Sequence, residues 1–204
     1  MDLSSEAHAK SEVSQMVQSP VKPISLEEFL TLPETKPASE YINGKIHQKP
    51  MPQGKHSLLQ GRLVTEINRI GQPEKRVYAF PELRCTFGDR SLVPHIAVFE
   101  WANIPIDENG EIQNRFTVVP DWVIEILSPE QSLPRAIEKI LFSLQQGAQL
   151  GWLIAPDDYS VTIFHPDKLA EFKEQDDQLP LLPVLDNWQV TASELFAWLR
   201  LLWI

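Results

Sequence analysis

The chain has 204 residues, 43% of them hydrophobic and 23% charged, enough to bury the core of one ordinary globular domain. A formal net charge of -10 disfavours broad contact with nucleic acid, although a local basic groove is compatible with it. The single cysteine, Cys85, excludes an intrachain disulfide and a Cys-rich zinc site. With no basic-then-apolar leader and no long apolar run, the expectation is a cytoplasmic protein with no membrane association.

Residues 1 to about 22 are polar, lack a hydrophobic period and are expected to form a mobile arm, leaving 23–204 as one domain. Ser25 followed by Glu28 is a capping box that opens a short helix to about Leu32. Glu40 to Ile46, with Asn43-Gly44 between two strand-like runs, reads as a hairpin. From Lys55 to Ile70 the pattern is helical, with Leu59, Leu63, Ile67 and Ile70 on one face. Strands are expected over Arg76–Phe80, Leu83–Phe87 and Leu92–Phe99. Residues 102–116 are polar, contain Asn109-Gly110 and read as a loop or second hairpin. Val118–Leu127 reads as a buried strand ending at Ser128-Pro129. Leu133–Gln146 reads as a helix with Ile137, Ile140, Leu141 and Leu144 inward and Gly147 as its stop. Trp152–Ala155 and Ser160–Phe164 are strands joined by a turn at Pro156-Asp157-Asp158. A capping box, Thr191 to Glu194, opens a last helix through Leu199. This order gives an α/β (α+β) fold, a mixed sheet flanked by helices.

Glu125 stands out chemically. A carboxylate inside a run as apolar as Val123–Leu127 is costly unless it is paired or bound to a metal. Neutralisation by a buried Lys or Arg, with no catalytic role, explains it equally well. Two further segments put polar groups beside apolar runs: Val93-Pro94-His95-Ile96-Ala97-Val98, and Glu138-Lys139 on the following helix. Asp121 sits four residues before Glu125 on the same strand, about 13 Å away. It is too far to share an ion with Glu125 and reads as a strand-start residue. Cys85 reads as a buried small hydrophobe, and Trp122, Trp152, Trp188 and Trp198 as core. Lys55, His56 and Arg62 are candidates for a small basic lip. His8, His47 and His165 have no ligand-like spacing.

Taken in order, SLEEFLTLP, EYINGKI, His56 at a helix start, VPHIAVF, VIEILSP, Lys139, Gly147, WLI and LDNWQVTASELF resemble the Uma-two (Uma2) family of restriction-endonuclease-like proteins. That family is a branch of the PD-(D/E)XK nucleases. The resemblance covers about residues 25 to 199, and VIEILSP is its most specific piece. It implies a restriction-endonuclease-like fold and metal-dependent hydrolysis of DNA phosphodiester bonds. The implied catalytic residues are Glu40, His95, Glu125 and Lys139. His95 and Glu125 would hold a divalent metal, Mg²⁺ or Mn²⁺ in the family. A homodimer is also implied, with the apolar tail Leu199–Ile204 available to an interface.

The sequence departs from the family where the chemistry is concentrated. The usual lysine position two residues after the glutamate is Leu127, so Lys139 must reach in from the helix. His95 replaces the family aspartate, and neutral imidazole suits Zn²⁺, Mn²⁺, Cu²⁺ or Ni²⁺ better than Mg²⁺. Arg135, Ser143, Gly151 and Ala155 also differ. Three readings follow: a metal-dependent endonuclease with an altered site, an inactive relative kept as a binding or assembly module, and a transition-metal-binding protein using His95, Glu125 and His56. The nuclease reading requires the side chains of 95, 125 and 139 to meet within about 6 Å, in a pocket open to solvent.

Overall fold

The structure, a computed structural model, describes residues 23–129 and 131–201. The expected arm at 1–22, and Leu202 and Trp203 of the expected interface tail, lie outside the described residues.

Local rules set the first elements. Helix α1 (Leu26–Leu30) starts at its capping box: the Ser25 hydroxyl accepts from the Glu28 amide, and the Glu28 carboxylate accepts from the Ser25 amide. Strands β1 (Ser39–Ile42) and β2 (Lys45–Gln48) form the hairpin, turning through Asn43 at φ 50° and Gly44 at φ 77°. Two successive left-handed residues are what a tight turn matched to strand twist requires. Helix α2 (Gly54–Gly71) buries Leu59, Leu63 and Ile67. Next come β3 (Val77–Pro81) and β4 (Cys85–Phe87).

The single strand expected over Leu92–Phe99 is two strands in two sheets. β5 (Arg90–Leu92) pairs with β1 and β4, and β6 (Ile96–Glu100) pairs with β3. Pro94 lies at the break, where its missing N–H ends ladder pairing. His95 is thereby set at the mouth of β6. Residues 102–116 hold the end of a 3-10 turn (Trp101–Asn103) and two isolated bridges, Ile106 with Ile112 and Phe116 with Cys85.

β7 (Trp122–Ile126), α3 (Leu133–Gln145) and β8 (Leu150–Ala155) form a parallel crossover unit. β9 (Ser160–Phe164), β10 (Glu171–Glu174) and α4 (Ala192–Ala197) complete the chain. The small sheet runs β2-β1-β5-β4 and the large one β10-β9-β8-β7-β6-β3. β10 was not expected: Glu171-Phe172-Lys173-Glu174 is a charged, half-exposed edge without a buried face to mark it.

Alternation along β7 assigns its two faces. Trp122, Ile124 and Ile126 join the main core with α2, Trp152 and Ile154, while Val123 faces α3 with Ala136, Ile140 and Leu153. Glu125 shares the parity of Val123 and so looks toward α3. Trp122 and Trp152 meet edge to face at 4.6 Å, as core residues. Helix α3 is rotated from its expected face: Leu141 is 44% exposed, whereas Ala136, Lys139, Ile140 and Ser143 are buried. The small residues allow close contact with the sheet, and the Lys139 ammonium turns inward to acidic partners.

Gly151 on β8 makes this contact fit. A β-carbon there would lie 2.3 Å from Ile140 Cγ2. Gly151→Ala should therefore destabilise the fold by about 1–3 kcal/mol in urea unfolding. The double variant with Ile140→Ala should lose less than the sum of the two single losses.

Candidate functional site

Four side chains predicted from sequence meet. Lys139 Nζ lies 2.6 Å from Glu125 Oε1 and 2.9 Å from Glu40 Oε1. His95 Nδ1 lies 2.9 Å from Glu125 Oε2. Glu40, from β1, also accepts a hydrogen bond from the Val93 amide at 2.8 Å. Exposures are 0% for Glu125, 2% for Lys139, 2% for Glu40 and 3% for His95.

Such burial would expel charge were the groups unpaired. For Glu125, burial pushes the pKa up, but the Lys139 ammonium, the His95 ring and Lys49 together outweigh it and hold the carboxyl well below its usual range. For Lys139, burial pulls the amine down, and Glu125 with Glu40 more than reverse this, holding it above the usual lysine range. Burial lowers His95 to about 4, against the pull of Glu125, so its ring is neutral at pH 7. Lys139 is therefore the largest of the groups that keep Glu125 ionised.

Two groups compete for one His95 nitrogen. The Ile126 amide points at Nδ1 from 3.0 Å, and Glu125 Oε2 is 2.9 Å from the same atom. A neutral ring nitrogen either carries a proton or accepts one. The carboxylate is charged, and two acceptors face to face in a dry site repel, so the Nδ1–H tautomer donating to Glu125 prevails. Nε2 then carries the lone pair.

Two cavities flank the cluster. One, of about 310 Å³, is lined by Lys49, His56, Gln60, Glu82 and His95 among others. The other, of about 260 Å³, is lined by Glu40, His47, Lys49, Gln131, Arg135 and Lys139 among others. Glu125 lines neither. The expected convergence is present, but the carboxylate at its centre is sealed while its neighbours reach the cavities. A larger hollow of about 590 Å³, near Tyr159 and Arg200, contains no member of the cluster.

A family-type Mg²⁺ centre fits these residues poorly. Magnesium requires several oxygen donors and keeps water. Here one Glu125 oxygen faces an ammonium and the other an imidazole, and the aspartate oxygen is absent. The Lys139 ammonium stands between the two carboxylates, where a cation would stand.

The remaining candidates separate clearly. Asp121 is a buried tie, accepting from the Glu100 amide, Asn103 and Gln149 at 2.8, 2.9 and 3.1 Å. The basic lip does not form: Lys55 pairs with Asp157, and His56 is buried. Burial pushes the Cys85 thiol up to about 12, as for an inert core residue. Glu82, Gln60 and Lys49 carry no functional signal in the sequence. Lys49 donates to Glu82 and to the Val93 carbonyl, and Gln60 donates to Glu82 and to the His95 carbonyl.

A family model, Uma2, described as "Putative restriction endonuclease", matches residues 26–193. A solved structure described as a "putative nuclease belonging to DUF820", from Anabaena variabilis, is 51% identical with a TM-score of 0.86, covering 87% of this chain and 100% of that one. No curated protein matches the chain. No helix among the described residues is long and apolar enough to cross a membrane.

Removing the ammonium leaves two acids facing each other in a dry site. Lys139→Met should cost about 3–5 kcal/mol in chemical unfolding, and adding Glu125→Gln should recover part of it. Stability should also fall on acidification. Folded His56 and His95 take up protons only near pH 4, whereas unfolded histidine does so near 6.5. Between those values the unfolded chain binds more protons, so stability is full above about 6.5 and declines toward 4. His56→Gln should flatten the slope of unfolding midpoint against pH.

Proposed function

This chain belongs to the Uma2 family, and we propose that it is a nuclease-like hydrolase of phosphodiester bonds in DNA, centred on the cluster around Glu125. The observation that carries this reading is the meeting of Glu40, His95, Glu125 and Lys139, from two sheets and a helix, between two cavities.

The roles follow from access. Arg135 borders the cavity on the Lys139 side and forms no ion pair among the described residues, which leaves its guanidinium for a phosphate oxygen. His95 is neutral, and Nε2 carries its free lone pair, which suits it to holding a divalent ion. Glu125 is a positioning residue: it fixes the His95 tautomer and is held ionised by Lys139. A divalent metal, when bound, would polarise the phosphate and acidify a water. The His95 substitution favours ions that accept nitrogen over Mg²⁺.

A specific observation favours a second reading, that of a non-catalytic relative serving as a binding or assembly module: Glu125 is sealed and its charge is spent on Lys139.

Incubation with supercoiled plasmid and with short single-stranded DNA, with Mg²⁺, Mn²⁺ or Zn²⁺, decides between them. Nicking should be faster with Mn²⁺ than with Mg²⁺, and His95→Ala and Arg135→Ala should each slow it at least tenfold. A folded protein that cuts neither substrate with any of these ions leaves the second reading.

A further inference from the structure

His56 has no satisfied role in the cluster. It is 3% exposed, and among the described residues neither ring nitrogen has a hydrogen-bond partner. A buried polar group left unpaired is costly, so the ring nitrogens call for a partner. Its ring lies 4.2 Å from that of His95, at 78°. Glu82 completes a set: one ligand atom from each of His56, Glu82 and His95 lies within 4.8 Å of the others. All three line the cavity of about 310 Å³.

We propose that His56, His95 and Glu82 bind a transition-metal dication of the zinc class, one imidazole further out than the sealed carboxylates. Two imidazoles, one carboxylate and an open position make a donor set characteristic of zinc. With Nδ1 of His95 committed to Glu125, Nε2 is left for the ion. A buried carboxylate behind a ligating histidine fixes its tautomer and raises its basicity, as in other metal sites. Gln60 braces the third ligand, donating to Glu82 at 3.0 Å and to the His95 carbonyl at 2.7 Å. Bonds near 2.1 Å place tetrahedral ligand atoms roughly 3.4 Å apart, so the set must tighten. Glu82, with 41% of its side chain exposed, has room to move.

Lys49 competes for this position. Its ammonium lies 2.5 Å from Glu82 Oε2 and 2.8 Å from the Val93 carbonyl. An arriving dication takes Glu82 and leaves Lys49 on the carbonyl. This proposal does not depend on the nuclease reading, because binding is measured without nucleic acid.

The test is titration calorimetry of chelator-stripped full chain with Zn²⁺ at pH 7.5, with Co²⁺ absorption as a second readout. One ion should bind per chain, and Co²⁺ should give visible bands. His56→Gln and Glu82→Gln should each weaken binding at least tenfold, and His165→Ala should not change it. Lys49→Met should strengthen binding several-fold, which a merely structural defect would not do. Because Glu82 is half exposed, Glu82→Gln keeps the test open if His56→Gln misfolds: Zn²⁺ should raise the melting temperature of the parent and not of that variant. No uptake, or uptake indifferent to both substitutions, overturns the proposal. Uptake with no DNA cleavage would remove the nuclease reading and leave this one. Cleavage with Mg²⁺ and no uptake would do the reverse.

Discussion

A single ammonium, Lys139 Nζ, sits 2.6 Å from Glu125 and 2.9 Å from Glu40, and through them it joins the large sheet, the small sheet and α3. Among the described residues it is the one cation paired directly with both carboxylates, and burying them without such a partner would be costly. The consequences spread outward. Helix α3 must turn its Lys139 face to the sheet, which swings Leu141 into solvent and presses Ile140 against Gly151. Glu40 must face inward from the hairpin, where it also caps the Val93 amide. That bond holds the chain at the point where it passes from one sheet to the other, just before His95.

The histidine then sets the chemistry of the cluster. A carboxylate at position 95 would add a third negative charge beside Glu125 and call for a hard cation among the oxygens. The imidazole adds none. It donates one edge to Glu125 and presents its other nitrogen to a cavity lined by His56 and Glu82. Charge that would have been balanced by an ion is balanced by Lys139, and the centre of coordination chemistry moves to the far edge of the ring.

Much of this was legible in the sequence because it is local. The capping boxes at Ser25 and Thr191, the Asn43-Gly44 turn and the apolar stripe of α2 each follow from residues within a few positions of one another. Glu125 was legible for a different reason: a carboxylate in an apolar strand needs a partner, whatever the fold. The face of α3 was misread because hydrophobic periodicity ranks Leu141 above Lys139, and only a tertiary partner reverses that order. The break at Pro94 had a local signal in the proline itself, but the apolar residues on both sides of it read as one strand. Glu82 and Lys49 carried no signal, since an acid in a strand-connecting turn and a lysine before a proline are ordinary surface residues. Their importance comes from where the ends of β2 and β3 bring them.

The electrostatic balance finally bears on how the two functional proposals relate. Attraction for a phosphate depends on charges within a Debye length, about 8 Å at physiological salt, so the net charge of -10 spread over the surface matters less than the groups lining the cavities. Those groups are largely spent: Lys139 on Glu125 and Glu40, and Lys49 on Glu82. Arg135 remains on one side. One phosphate contact gives a log–log salt slope of about -0.9, and such binding is weak. A dication held by His56, His95 and Glu82 would change that balance, adding two positive charges to a wall whose own cations are Lys36 and the Glu82-paired Lys49. On these magnitudes a metal in the cavity beside His95 would add more attraction for a phosphodiester than either lone cation does, and the proposed ion is one that imidazole, rather than aspartate, selects.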